Sequence, residues 1–230
     1  MTHTLVKICG LRDLATARAA LAAGADYLGF VFAPSPRRVL PEEVRAIARA
    51  LPDWARLVGV FVDERTEVIN QTVAWCGLDY AQLSGDEPHT RVSDIRAPVL
   101  KAIRLGQAGR SLETELEEYR AAAMAPATPF AGGTAAAGAG VAAFVLDTFQ
   151  SGAFGGTGQT CDWQLAAGLA ARYPSFLAGG LHQENVGPAI AAVRPLGVDV
   201  SSGVEVVGRP GVKDIGRIEA FIAAVRRTER

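Results

Sequence analysis

Cysteine and histidine are scarce in this chain, three of each in 230 residues. Cys9, Cys76 and Cys161 lie far apart, with no CxxC pair and no histidine pair near them. That spacing excludes a disulfide framework and a zinc site as organising features, and fits a reducing compartment. No apolar run approaches the ~20 residues a membrane span needs, and no basic segment leads into an apolar one near the start. A soluble, cytoplasmic protein is expected. An excess of either charge is also missing: 23 Lys plus Arg stand against 24 Asp plus Glu, spread along the chain. Without a basic surplus there is no electrostatic footprint for nucleic acid or an anionic membrane, so an anionic ligand has to be bound locally.

What is present is a recurring unit. Short apolar runs, each ending in Gly, Asp or Ser, alternate with helical patterns: LVKIC (5 to 9), YLGFVF (27 to 32), RLVGVFV (56 to 62), YAQL (80 to 83), VLKAI (99 to 103), AFVLD (143 to 147), SFLAG (175 to 179) and VDVSS (198 to 202). Between them apolar residues recur at helical spacing, as in Val44, Ile47, Ala48, Leu51 and in Ile215, Ile218, Phe221, Ile222, Val225. Eight strand–helix units in one domain of this length predict an α/β fold, a closed (β/α)8 barrel, because a doubly wound open sheet usually stops at fewer strands. A Pro-, Gly- and Ala-rich stretch at about 126 to 140 has no periodicity and reads as a flexible insertion on the face opposite the catalytic one.

In such a barrel the chemistry gathers at the C-terminal ends of the strands. Cys9 ends the first strand, Arg37 and Arg38 follow the second, Asp63 ends the third, Ser84 follows the fourth, Asp147 ends the sixth, and the eighth carries Asp199, Ser201 and Ser202. Alternation along a strand puts Lys7 and Cys9 on one face. None of His3, His89 and His182 ends a strand, so Cys9 and Asp147 become the leading base and acid, and Lys7 the cation that lowers the thiol's pKa. Glycine turns follow the sixth, seventh and eighth strands, at 155 to 158, 178 to 180 and 201 to 203. Backbone amides there can hold a phosphate without a lysine, at the place where barrel enzymes often bind one.

Taken together, KICG, GADYLGFVF, SPRRV, VGVFVD, VLDTF, GGTGQTCDW, LAGGL, ENV and VDVSSGVE resemble the phosphoribosylanthranilate isomerase family over essentially the whole chain. The resemblance implies a (β/α)8 barrel that performs an Amadori rearrangement of a phosphosugar in tryptophan biosynthesis, with no cofactor and no metal. It implies Asp147 as general acid and Cys9 as general base, with the pKa of Asp147 raised and that of Cys9 lowered. Arg38 would bind the anthranilate carboxylate ahead of Arg37. The amides of Gly156, Gly158, Gly180, Ser202 and Gly203 would bind phosphate, and Lys7 and Asp199 would orient the substrate. A monomer or homodimer acting on a small molecule is implied. Ser84 stands where the family usually has histidine, and Gly187 and Pro188 suggest that the helix after ENV begins late. The alternatives are a phosphosugar-binding barrel without catalysis and another aldose–ketose isomerase of this fold; Lys101 is a faint echo of indole-glycerol phosphate synthase.

Overall fold

The computed structural model describes residues 3–106, 111–122, 140–148 and 162–229. Eight parallel strands close on themselves in chain order. They are β1 (Leu5–Cys9), β2 (Tyr27–Val31), β3 (Arg56–Phe61), β4 (Tyr80–Leu83), β5 (Val99–Leu105), β6 (Val141–Thr148), β7 (Ser175–Leu177) and β8 (Gly197–Val200). The barrel shuts where β1 pairs with β8, Lys7 lying beside Asp199. Helices α1 (Leu14–Ala23), α2 (Pro41–Arg49), α3 (Thr66–Cys76), α4 (Leu112–Ala121), α5 (Trp163–Ala170), α6 (Val186–Val193) and α7 (Ile215–Arg227) surround it.

Three local outcomes differ from the periodicity. Between β4 and β5 the connection forms a 3-10 stretch, His89–Asp94, and no α-helix. Pro88 and Pro98 bracket it and leave too little chain for a capped helix of several turns. β7 stops at Leu177 because Gly179 and Gly180 take φ of +82° and +62°, outside strand geometry. α6 starts at once after Asn185, with Pro188 inside its first turn, where its missing N–H costs no helical hydrogen bond. The Pro/Gly/Ala stretch lies outside the described residues except for Gly140.

Strand alternation builds two cores. Val6, Ile8, Leu28, Phe30, Val198 and Val200 point outward and pack against helix residues such as Ala17, Val44, Ile69 and Ile218. The opposite parity points inward, where Tyr27, Val58, Leu100, Val145, Phe176 and Ala178 form a second cluster. Tyr27 meets both Tyr80 and Phe176 edge-on across the barrel, with ring centroids 5.5 and 5.6 Å away, so the interior is plugged and not open. The inward parity also contains Lys7, Cys9, Gln82, Arg104, Asp147 and Asp199, all at or near strand C-terminal ends. The apolar plug and the polar mouth are therefore two layers of one alternation.

The first and last units are clasped at the other end. Arg226 of α7 donates to the carbonyls of Thr4 and Gly24 at 2.7 and 2.8 Å and to Asp26, and Glu229 accepts from the Thr4 amide. α1 is capped by Asp13, whose carboxylate accepts from the Thr16 amide, and ends on Gly24 in the left-handed region.

Candidate active site

Cys9 and Lys7 emerge from β1 on its inner face, and Asp199 arrives from the neighbouring β8. The Lys7 ammonium donates to Asp199 Oδ1 at 2.9 Å, with the lysine fully buried and Asp199 nearly so. Across the ladder from Cys9 stands Gly29 of β2. A Cβ added there would fall 3.1 Å from Cys9 Sγ and 3.2 Å from Lys7 Nζ. Thiol and ammonium thus share the space above one glycine, and only a residue without a side chain leaves room for both.

The electrostatics correct one expectation from the sequence. Burial pushes the Cys9 thiol above its ordinary range, Asp199 adds to that, and the pull of Lys7 and Lys213 does not cancel it. Lys7 is the stabilising cation that alternation suggested, but the dry barrel wall outweighs it, so the thiol's pKa is raised and not lowered. Burial works on Lys7 in the opposite sense and is overcome by Asp199 and Cys9, so the lysine stays charged. A base with a raised pKa is scarcer as thiolate but stronger once formed.

On the loop side, Gly10 follows Cys9 with φ +77°. A side chain there would meet the Arg37 stem at 2.7 Å. Arg37 therefore lies against the residue after the thiol, and its Nε and Nη2 donate to the two oxygens of Glu205 at 2.7 and 3.0 Å. Glu205 also accepts from Lys213 at 3.1 Å, and Lys213 reaches the carbonyl and hydroxyl of Ser201. Arg38, by contrast, is exposed, with its backbone bridged to Val31 at the end of β2. Read residue by residue, the SPR of the resemblance is Ser35, Pro36 and Arg37.

Asp147 is half-buried at the end of β6, on the rung it shares with Arg104 of β5. Arg104 donates to the Ser84 carbonyl and to Asp86, tying the loop after β4 to that rung. Gln82 donates to the Ser84 hydroxyl at 3.0 Å, and its buried Oε1 has no hydrogen-bond partner among the described residues, which leaves an acceptor inside the barrel. Asp63 accepts from the Asp86 amide and serves the same loop.

Lys101 takes no part in the mouth. Its parity is outward, and its ammonium is spent on the carbonyls of Leu83 and Gly85 and on buried Glu87 at 2.7 Å. The echo of a catalytic lysine is thereby removed.

Of the residues suggested for phosphate, Gly180 follows β7, and Ser202 and Gly203 begin the 3-10 turn after β8. The two turns touch: a Cβ on Gly203 would collide with the Leu181 carbonyl. Asn185 of ENV holds the first turn by donating to the Gly180 carbonyl and accepting from the His182 amide. His182 is half-buried and accepts from the Glu184 amide, a loop role. Gly156, Gly158 and Cys161 lie outside the described residues. Among the described residues no group of three or more His, Cys, Asp or Glu could hold a metal ion, and no helix is long and apolar enough to cross a membrane.

Sequence reasoning passed over Gln82, Arg104, Glu205 and Lys213. Gln82 and Arg104 carried a usable signal, polar residues at the inward parity of apolar strands. Glu205 closes the VDVSSGVE run that carries the resemblance, so a signal was there, whereas Lys213 sits in a Gly- and Pro-containing turn where no period operates.

A closed parallel barrel whose C-terminal mouth gathers a buried thiol, two lysine–carboxylate pairs and an arginine, beside glycine turns, defines a (β/α)8 protein of the acid–base enzyme class. The model of the N-(5'phosphoribosyl)anthranilate (PRA) isomerase family matches residues 6–224. The isomerase of that name from Desulforudis audaxviator is 46% identical over 224 residues, covering 97% of this chain and 98% of the relative. The solved phosphoribosyl anthranilate isomerase from Thermus thermophilus superimposes with TM-score 0.79 at 33% identity, over 97% of this chain and 99% of that one. Another, solved with reduced 1-(o-carboxyphenylamino)-1-deoxyribulose 5-phosphate, gives 0.75 at 35% identity over the same shares. The chain belongs to the N-(5'-phosphoribosyl)anthranilate isomerase family.

Proposed function

We propose that the chain converts N-(5-phosphoribosyl)anthranilate to 1-(2-carboxyphenylamino)-1-deoxyribulose 5-phosphate, the Amadori step of tryptophan biosynthesis, without a cofactor. The observation that carries the reading is the Cys9 thiol held beside Lys7 and Asp199 at the barrel mouth, with Asp147 on β6, in a chain of this family. Asp147 delivers a proton to the furanose ring oxygen. The bond from that oxygen to C1 breaks, and the anilino nitrogen's lone pair closes a protonated Schiff base. The Cys9 thiolate takes the proton from C2, and the released electron pair neutralises the iminium to give an enolamine. Return of a proton to C1 and loss of the enol proton leave the aminoketose, with no net change in atoms or electrons.

Lys7 stabilises the thiolate, and Asp199 keeps Lys7 charged and in place. The position of the half-buried Arg37 against Gly10, with Arg38 exposed, favours Arg37 as the partner of the anthranilate carboxylate. The amides of Gly180, Ser202 and Gly203 suit the phosphate, together with the turn that carries Gly156 and Gly158.

The test is consumption of N-(5-phosphoribosyl)anthranilate, followed by loss of its fluorescence. Cys9→Ser and Asp147→Asn should each lower turnover by at least about a hundredfold, the usual worth of a general acid or base, while a product analogue still binds. Wild-type protein that leaves the substrate untouched, or full activity in Cys9→Ala, would refute the reading.

A further inference from the structure

Arg37, Glu205 and Lys213 form a cluster outside the proposed acid–base pair. Both Glu205 oxygens are engaged, Oε1 by Arg37 Nε and Lys213 Nζ, and Oε2 by Arg37 Nη2. Glu205 and Lys213 are almost fully buried. A carboxylate out of water that accepts three charge-assisted hydrogen bonds does not rotate. It consequently fixes the plane of the Arg37 guanidinium.

A guanidinium has five N–H donors. Glu205 takes the Nε edge and leaves the Nη1 side, which has no protein partner among the described residues. The Arg37 stem is pinned from below, since a Cβ on Gly10 would reach its Cδ at 2.7 Å. The free edge is thus held in one orientation, on a side chain whose stem lies against the residue after Cys9. Lys213 extends the same clamp to the Ser201 carbonyl and hydroxyl, at the start of the turn after β8.

We propose that Glu205 is a positioning residue that sets substrate specificity: it presents the free edge of Arg37 to the ring carboxylate of the substrate and, through Lys213, keeps that edge in register with the Ser201 turn. This inference rests on Arg37 being the carboxylate partner. Glu205 touches no reacting atom and acts through Arg37. A bidentate carboxylate needs both N–H groups of one edge aligned together, so a guanidinium free to swing loses discrimination before it loses binding.

The experiment compares kcat/KM for N-(5-phosphoribosyl)anthranilate with that for N-(5-phosphoribosyl)aniline, which lacks the ring carboxylate. Wild-type protein should prefer the carboxylated substrate by a factor of at least about ten, the low end for a hydrogen-bonded charge pair. Glu205→Gln keeps shape and loses the charge, and should cut that preference at least about fivefold, with the loss falling on the carboxylated substrate. Arg37→Met should abolish it. A merely structural role for Glu205 would depress both substrates equally and leave the ratio unchanged, which overturns the proposal. Preference retained in Arg37→Met overturns the assignment of Arg37 itself, and this proposal with it. Should Glu205→Gln fail to fold, Glu205→Asp is read in the same way: one methylene shorter, it cannot hold both Arg37 nitrogens and Lys213. An unchanged ratio in that variant also overturns the proposal.

Discussion

Replacing Lys7 by glutamine tests the idea that a buried ammonium governs the thiol. Cys9 Sγ and Lys7 Nζ both lie close to the one point above Gly29, at 3.1 and 3.2 Å. They are therefore no more than roughly 6 Å apart, and at an effective dielectric near 20 a cation at that distance stabilises a thiolate by about 3 kcal/mol. Its loss should raise the thiol's pKa further, on top of the rise that burial already imposes. The assay is the pH dependence of Cys9 alkylation by iodoacetamide in the free protein, since only the thiolate reacts. In the wild type the rate should climb with pH beyond the ordinary thiol range of about 8.5. In Lys7→Gln the whole profile should move to higher pH, with the rate at pH 7 about a hundredfold lower. Asp199 would be left buried and unpaired, at a cost of about 3–5 kcal/mol in stability, so the folded fraction is read in parallel by circular dichroism. Coincident profiles for Lys7→Gln and wild type would refute the reasoning.

Two further outcomes follow from the packing. Gly29→Ala places a methyl group 3.1 Å from Sγ and 3.2 Å from Nζ; it should destabilise the fold by only about 1–3 kcal/mol, as overpacking does, yet lower kcat at least about tenfold by displacing the thiol, and a kcat within twofold of wild type would show that the space is not needed. The Lys101–Glu87 pair concerns stability alone. Glu87 ionises below the usual carboxylate range because Lys101 outweighs the cost of burial. Its contribution is thus present above about pH 4.3, the ordinary value, and is lost as pH falls through the lower folded value. Glu87→Gln should cost about 3–5 kcal/mol at pH 7 by leaving Lys101 buried and unpaired, and should flatten the acid side of the stability curve measured by urea unfolding. A stability unchanged at pH 7 would contradict the pairing.

Much of the fold is legible along the chain, because a (β/α)8 barrel is made of local periods repeated. The runs LVKIC and YAQL coincide with β1 and β4 from end to end. The connection between β4 and β5 was not legible, since the alternation implied a helix and prolines settled the matter locally. The thiol was legible too, as a polar residue closing an apolar strand. Arg37 and Arg38 could not be told apart by composition. They are neighbours in sequence; the SPR run ends on Arg37, and the Arg37 stem lying against Gly10 agrees with that reading.

The sequence by itself determined the eight strands, the inward parity shared by Lys7 and Cys9, and the placing of acid and thiol at the same ends of different strands. These follow from periods of two and 3.6, which need no knowledge of distant residues. The tertiary structure alone decided what those groups do to one another. Lys7 and Asp199 are 192 positions apart, and Arg37 and Glu205 are 168; barrel closure brings each pair together. The direction of the Cys9 pKa was decided in the same way. A lysine two residues away argued for a lowered value, but desolvation depends on everything that surrounds the thiol, and that is a property of the closed barrel.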